Sequence, residues 1–483
     1  MAPASDSVLP FRTSHATSPS VGESASAHLV GICGSGMNAL ASLLLDLGWS
    51  ITGSDSHPSE ALVQNFRLRS VQIHRGHDSR HLPQRTDVLI HSAAIPASNP
   101  ERQAAARLGI QQLSYSCMLG VLMRSRTGVC IAGTHGKSTT AAMVASILLH
   151  SGREPSACIG AELCASGKSG WAGAGELFVA ESCEYRRSFL DLSPSCAAIL
   201  SVEPDHFDYF RDFGETCEAF RQFATRVPPT GILVVRGDCE AAAEAARAIS
   251  APVETFSLAA DSDWHASELR QAGDGVRFSV FHGREPFAEF LLTLPGRHNV
   301  FNALAAIALC HHLGVSSTEI VTALAQFRGV RRRFEQKGTW RGATLVDDYA
   351  HHPTEILATL TAARERFGRR RLWCVFQPHQ LSRLRALFTE FSESLALADE
   401  LLIAPVYAAR ETVDSTAERL VQELVHSIAD AGGRARYCAD LDRIMATLED
   451  EARPGDVVMT MGAGDIDRVH YEFHRRVQRN RAS

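Results

Sequence analysis

Short apolar runs recur along this chain, each stopped by glycine or a polar cluster, and stretches of helical periodicity fill the gaps. Such runs read as buried strands, and their alternation with helices predicts parallel sheets covered by helices. The first strand is expected at His28, in H-L-V-G-I-C-G-S-G-M-N-A-L-A, followed by a glycine turn and a helix. Strands are expected next at 49–52, 71–74, 88–92 and 110–113, with helices at 59–67 and 100–108. A second unit begins near Val129 and continues with strands at 177–180, 197–202 and 231–235, an antiparallel patch within 274–293, and a helix opening in L-P-G-R-H-N from Leu294. A third has strands at 343–346, 372–376, 400–403 and 457–461. The basic run Arg331–Arg332–Arg333, between Gly329 and Gly338, reads as a linker.

This pattern predicts an α/β protein of three domains, at 28–125, 126–328 and 329–483. The Ser-, Ala- and Pro-rich segment 1–27 has few large apolar residues and is expected to be a disordered tail. No apolar core follows a basic start there, so it does not read as a secretory signal. A net charge of −6 argues against a general nucleic-acid binder or a polybasic membrane-surface protein. No long uncharged apolar window offers a membrane span. The 12 cysteines are scattered with no C-x-x-C pair, which fits a reducing compartment, the cytoplasm, and argues against zinc.

The densest chemistry lies in V-C-I-A-G-T-H-G-K-S-T-T, residues 129–140, an apolar strand running through a glycine turn into a helix. Gly133 and Gly136 let the backbone approach an anion, and the amides opening the helix donate to it. Lys137 can reach outer phosphates, and the Ser138 hydroxyl can ligate Mg²⁺. Only three lysines (Lys137, Lys168 and Lys337) stand among the 48 basic residues. A chain otherwise built on Arg has kept a compact point charge where phosphate favours one. The loop is shorter than the usual P-loop, because Ile131 stands where that motif needs its first glycine.

Carboxylates and imidazoles gather after the neighbouring strands: Glu181 and Glu184 in E-S-C-E-Y-R-R-S-F, and Asp205, His206 and Asp208 in E-P-D-H-F-D-Y. Ligands of open α/β sheets bind at carboxyl strand ends, so these groups should converge on phosphates, with Glu184 and His206 serving a metal. In the third unit, D-D-Y-A-H-H-P-T-E, F-Q-P-H-Q-L-S-R and G-A-G-D-I each follow a strand; His351 and His352 are candidate helix caps, and Arg383 a candidate anion clamp. In the first unit Gly34, Gly36 and Ala39 fit the dinucleotide fingerprint, with Asp55 near the place of the ribose-binding acid. On these residues alone NAD is one reading, and another nucleotide on the same helix N-terminus is the other.

Taken in order, G-I-C-G-S-G-M-N-A-L-A, G-T-H-G-K-S-T-T, E-S-C-E-Y-R-R-S-F, E-P-D-H-F-D-Y-F, L-P-G-R-H-N-V-F-N-A-L-A-A, D-D-Y-A-H-H-P-T-E, F-Q-P-H and G-A-G-D-I resemble the motifs of the Mur ligase family, from residue 28 to about 475. The resemblance implies a Rossmann-like N-terminal domain for a UDP-sugar, a central P-loop-type ATPase domain and a Rossmann-like C-terminal domain. It implies an activity in peptidoglycan precursor synthesis: ATP, with Mg²⁺, phosphorylates the lactyl carboxylate of UDP-N-acetylmuramate, and L-alanine attacks the acyl phosphate. By motif position, Ser35, Gly36, Met37, Asp55, His77 and Ser92 would line the UDP-sugar site. Gly133, Thr134, His135, Gly136, Lys137, Ser138 and Thr139 would hold phosphates, with Ser138, Glu184 and His206 at Mg²⁺. His298 and Asn299 would lie near adenine, Asp348 at the ribose, and Arg333 with the nucleotide. Lys137, His206, Tyr349, His351, His379 and Arg383 would carry the chemistry.

Against the family pattern, Ser201 replaces a usual Asn, Gln380 a frequent basic residue and Ser138 the commoner Thr. A sister activity, reattachment of a recycled tripeptide, fits F-Q-P-H and E-P-D-H less well. Outside the family, an NAD-linked oxidoreductase leaves Lys137, Glu184 and His206 without a role, and a regulator without turnover would bind ATP but release no phosphate.

Overall fold

The computed structural model describes residues 25–482 apart from 248, 412 and 413. The expected tail at 1–27 lies outside these for residues 1–24, but its last two residues belong to the first strand, Ser26–Val30. Ser26 is held there because both its amide and its hydroxyl donate to Asp87 Oδ2, at 2.7 Å.

Three sheets follow one another along the chain. The first is wholly parallel, in the order Gln72–Arg75, Ser50–Asp55, Ser26–Val30, Val88–His91, Gln111–Ser114. The strand order reverses beside Ser26–Val30, which opens a crevice at its carboxyl end, the Rossmann arrangement expected there. The second sheet has ten strands, with Thr127–Ala132 set between Cys196–Ile199 and Leu177–Glu181. Its antiparallel end comprises Trp264–Ala272, Gly275–His282 and Glu285–Leu292, a larger patch than the sequence suggested. The third runs Glu335–Trp340, Ala343–Asp348, Val457–Met461, Leu372–Phe376, Glu400–Ile403, Ala435–Tyr437, antiparallel only at its first pair.

The expected linker at 331–333 is a correction. Val330 bridges Leu163, and the Arg331 amide donates to the Glu162 carbonyl at 2.8 Å. Arg332 reaches the carbonyls of Gly462 and Gly464 and pairs with Asp347, while Gly338 falls inside a strand. Arg331 is thus anchored on the second domain, while Arg332 and Arg333 are tied into the third.

The first two domains pack closely where helix Ser35–Asp46 crosses strand Gly170–Trp171. A Cβ at Gly170 would lie 1.8 Å from the Ala39 carbonyl oxygen. Backbone cannot yield as a side-chain tip does. Gly170→Ala is therefore expected to lower stability by about 1–3 kcal/mol, seen as a lower thermal midpoint; an unchanged midpoint would mean the two domains do not dock this way.

Candidate active site

Strand Thr127–Ala132 ends in the glycine loop, and helix Lys137–His150 starts directly after it. Gly136 caps the helix in the left-handed region (φ 81°), and a Cβ there would meet Asn302 Oδ1 at 2.3 Å. Glycine is required at this position by both conformation and space. Lys137 Nζ folds back over the loop, donating to the carbonyls of Gly133 and Thr134 and lying 3.0 Å from Glu184 Oε2. Burial opposes the ammonium charge, but the Glu184 carboxylate outweighs it and raises the Lys137 pKa.

Glu184 is itself buried, and its Oε2 has no hydrogen bond beyond this ion-pair approach. His206 Nε2 stands 3.3 Å from Glu184 Oε1. Burial works against a charged ring, yet contacts with Cys183 and Glu184 and the nearby Asp205 raise its pKa to about 10. The ligand atoms of Cys183, Glu184 and His206 all lie within 4.8 Å of one another. A buried, under-bonded carboxylate fits a hard cation; the thiol is the poorest match in the group. The Ser138 hydroxyl, at the start of the loop helix, makes no side-chain hydrogen bond among the described residues.

Beside the loop a cleft of about 810 Å³ opens between the second and third domains, lined by His135, Gly136, Thr139, Ser201, His298, Asn299, Arg333 and Asp348. Most of the residues expected around a nucleotide therefore share one space. His298 is held neutral, its pKa lowered to about 4 by burial and Arg333. Asp348 accepts from the amides of Phe334 and Ala350, both at 2.7 Å, so its carboxylate is already engaged by backbone. Burial pushes it up to about 6. Ser201, a departure from the family pattern, accepts from the His135 amide at 3.1 Å and so braces the loop.

From the third domain, Tyr349, His351, His379 and Arg383 arrive as one group. The His351 ring meets Tyr349 and His379 edge-on, each at 5.5 Å between centroids. His351 Nδ1 lies 2.9 Å from the Tyr349 carbonyl, and burial lowers its pKa to about 4. His379 Nδ1 faces Arg383 Nη1 at 3.1 Å. Arginine only donates, so this nitrogen accepts and the ring is neutral. Burial, with His351 and Arg383 next, lowers its pKa to about 2. The helix beyond Pro353 is capped by His352, which accepts from the Thr354 amide; His351 is free of that duty.

Two expectations need correction. Asp205 does not converge on the loop; Arg383 binds it, with Nε and Nη2 each 2.8 Å from Oδ1. Arg383 is thus a strut between domains before it is any clamp. In the N-terminal domain, the Met37 side chain is buried in the core, which leaves only its backbone for a ligand. Gly36 is needed for packing, since a Cβ there would meet Tyr115 at 2.9 Å. Asp55 is held by the amides of Cys33 and His57, both at 3.0 Å. Ser35 opens helix Ser35–Asp46, His77 is bonded to Ser54, and Ser92 accepts from the Ala94 amide.

Three residues escaped the sequence reading. Glu203 accepts from Thr354 Oγ1 at 2.6 Å, Glu355 lies 3.3 Å from His135 Nδ1, and Arg410 pairs with Asp208 at 2.7 Å while lying 3.7 Å over the Tyr185 ring. The first two stand inside motifs already singled out. Arg410 gave no signal, because its partner lies 202 residues away.

Three α/β domains, the third of them closing over a phosphate-type loop of the second, define the class. Family models described as Mur ligase family, catalytic domain (26–127), Mur ligase middle domain (131–310) and Mur ligase, glutamate ligase domain (332–464) match in order. The chain belongs to the Mur ligase family and is an ATP-dependent ligase. It is 40% identical over 445 residues to the UDP-N-acetylmuramate–L-alanine ligase of Desulfitobacterium hafniense, covering 92% of this chain and 98% of that one. The enzyme of that name from Acidithiobacillus ferrooxidans is also 40% identical, over 91% and 95% of the two chains. Among solved structures, the UDP-N-acetylmuramate–alanine ligase of Thermotoga maritima superposes with a TM-score of 0.80 at 26% identity, over 94% of this chain and 99% of that one. A murein peptide ligase from Psychrobacter arcticus gives 0.70 at 26% identity, over 93% and 98%. Among the described residues no helix is long and apolar enough to cross a membrane.

Proposed function

We propose that this chain joins L-alanine to the lactyl carboxylate of UDP-N-acetylmuramate, driven by ATP. One observation carries the reading. The Lys137–Glu184–His206 group of the second domain faces the Tyr349–His351–His379–Arg383 group of the third, and Arg383 reaches across to Asp205. Curated relatives matched over more than nine-tenths of this chain carry the alanine-adding name, which favours that activity over tripeptide reattachment.

A carboxylate is a poor electrophile, and a phosphoryl group on it supplies a leaving group. That transfer asks for in-line positioning and charge neutralisation. An anion over the loop would draw Lys137 Nζ from the Gly133 and Thr134 carbonyls onto its oxygens. Glu184, Ser138 and, once Mg²⁺ displaces its proton, His206 would hold the ion, which would neutralise part of the phosphate charge. His351 donates from Nδ1 to the Tyr349 carbonyl, so its Nε2 is bare. With so low a pKa the ring can orient an amine N–H without keeping its proton; the amine is then expected to react in its free-base form. The domain contacts at Glu203, Asp205 and Asp208 would shut water from the acyl phosphate.

The test is phosphate release from ATP and Mg²⁺ with UDP-N-acetylmuramate and each amino acid in turn. Release that needs both the sugar nucleotide and L-alanine supports the proposal. Release only with a tripeptide would replace it by the recycling activity. Glu184→Ala is expected to raise the Mg²⁺ needed for half-maximal turnover at least about 10-fold; an unchanged Mg²⁺ titration would remove Glu184 from the metal's neighbours.

A further inference from the structure

A carboxylate lies buried against the inner strands of the first sheet. Glu101, fully buried on helix Pro100–Leu108, accepts at Oε2 from Ser54 Oγ at 2.5 Å, with His28 Nε2 and His77 Nδ1 each 3.6 Å away. Its Oε1 accepts from the Asp78 amide at 3.3 Å and has His81 Nδ1 at 3.1 Å. Each of these neighbours is an N–H, an O–H or an imidazole nitrogen that can carry a proton. Burial works against the charged carboxylate, but His28 and Ser54 outweigh it and hold Glu101 below its usual range. An ionised carboxylate only accepts.

The protons of the chain can then be counted. Ser54 has one, and the bond to Glu101 takes it. Ser54 Oγ also stands 2.9 Å from His77 Nδ1, and with its own proton spent it can only accept there. The proton therefore sits on His77 Nδ1. A neutral imidazole protonated on Nδ1 leaves Nε2 as an acceptor. His77 follows Gly76, whose amide donates to the Asp55 carbonyl at 2.8 Å, so the ring stands at the carboxyl end of strand Ser50–Asp55, beyond the acid of the nucleotide fingerprint. That is the ribose and base side of such a crevice, whereas pyrophosphate belongs at the helix N-terminus near Ser35.

We propose that Glu101 and Ser54 are positioning residues that fix His77 with a bare Nε2, and that this nitrogen accepts from the imide N–H of a uracil base. The inference rests on the UDP-sugar reading of this domain. A bare ring nitrogen repels phosphate oxygens and selects a donor. Uracil carries one such N–H on its pairing edge. Ser54→Ala removes the link, so the ring can carry its proton on either nitrogen.

Two measurements on the full chain test this, with UDP and N3-methyl-UDP as probes. The first is the histidine ¹⁵N spectrum in buffer alkaline enough to leave imidazole neutral. His77 should show Nδ1 protonated and Nε2 bare, and UDP should shift Nε2. The second is affinity. Wild type should prefer UDP over its N3-methyl form by about 3- to 10-fold; Ser54→Ala should lose most of that preference while the KM for ATP stays unchanged. A purely structural role for Ser54 would weaken both probes equally. UDP binding with His77 protonated on Nε2, or an undiminished preference in Ser54→Ala, overturns the inference and leaves the UDP-sugar reading standing. A spectrum as expected with neither probe binding overturns the UDP-sugar reading and this inference with it.

Discussion

Lys137→Ala is expected to cut turnover by about 10²–10³-fold, the loss typical of a charged donor aimed at a developing anion. The measurement is single-turnover phosphate release at saturating ATP. Composition already points to Lys137, since a chain with three lysines has placed one at the head of the loop helix. Its ammonium sits beside a buried carboxylate and two loop carbonyls, contacts an incoming phosphate can take over without moving the backbone. Lys137→Arg should not restore the rate, because a planar fork neither fits the two carbonyls nor acts as a compact point charge. The substitution also strips Glu184 of its ammonium, so the folded protein should weaken as well; the thermal midpoint separates that loss from the loss of rate. Full turnover in Lys137→Ala would sink the assignment of the loop.

Much of this was legible in the chain because it is local. Strand, glycine turn and helix at 127–150 are adjacent in sequence, and their period and punctuation declare them. Helix Pro100–Leu108 has Asn99 as its cap and Pro at its start, and it forms where the pattern put it. What the sequence hid depends on distant partners. The arginines at 331–333 look like a solvated run until Arg332 meets carbonyls about 130 residues away. Strand Trp264–Ala272 went unread because its alternation breaks at a bulge, where the pairing shifts between Ser267 and Arg270. Asp205 reads as one more acid near a phosphate loop. Only the fold shows that its charge is already committed, 178 residues along, to Arg383.

That commitment makes Arg383→Ala the second large effect. Arg383 and Asp205 are 2% and 8% exposed, and removing one member of a buried pair leaves the other charge uncompensated, at about 3–5 kcal/mol. The pH dependence gives the effect a signature. In the native chain burial opposes the Asp205 charge, but Arg383 outweighs it and holds the pKa well below the usual carboxylate range. A depressed folded pKa contributes stability that is full above the unfolded value, about 3.9, and is lost as the pH falls toward the folded one. In Arg383→Ala the strongest of the opposing charges is gone and burial is met only by neighbours such as the His206 ring and amide, so the folded pKa moves up. The penalty is then greatest at neutral pH and shrinks as acid protonates Asp205. Thermal midpoints of the two proteins should therefore converge between neutral pH and about pH 4, with Asp205→Asn/Arg383→Met recovering much of the loss at neutral pH. Activity should fall too, since His379 loses the donor that fixes its ring. A constant gap in midpoint across that range would mean that Asp205 does not depend on Arg383, and the strut between the second and third domains would have to be sought at Arg410 and Asp208 instead.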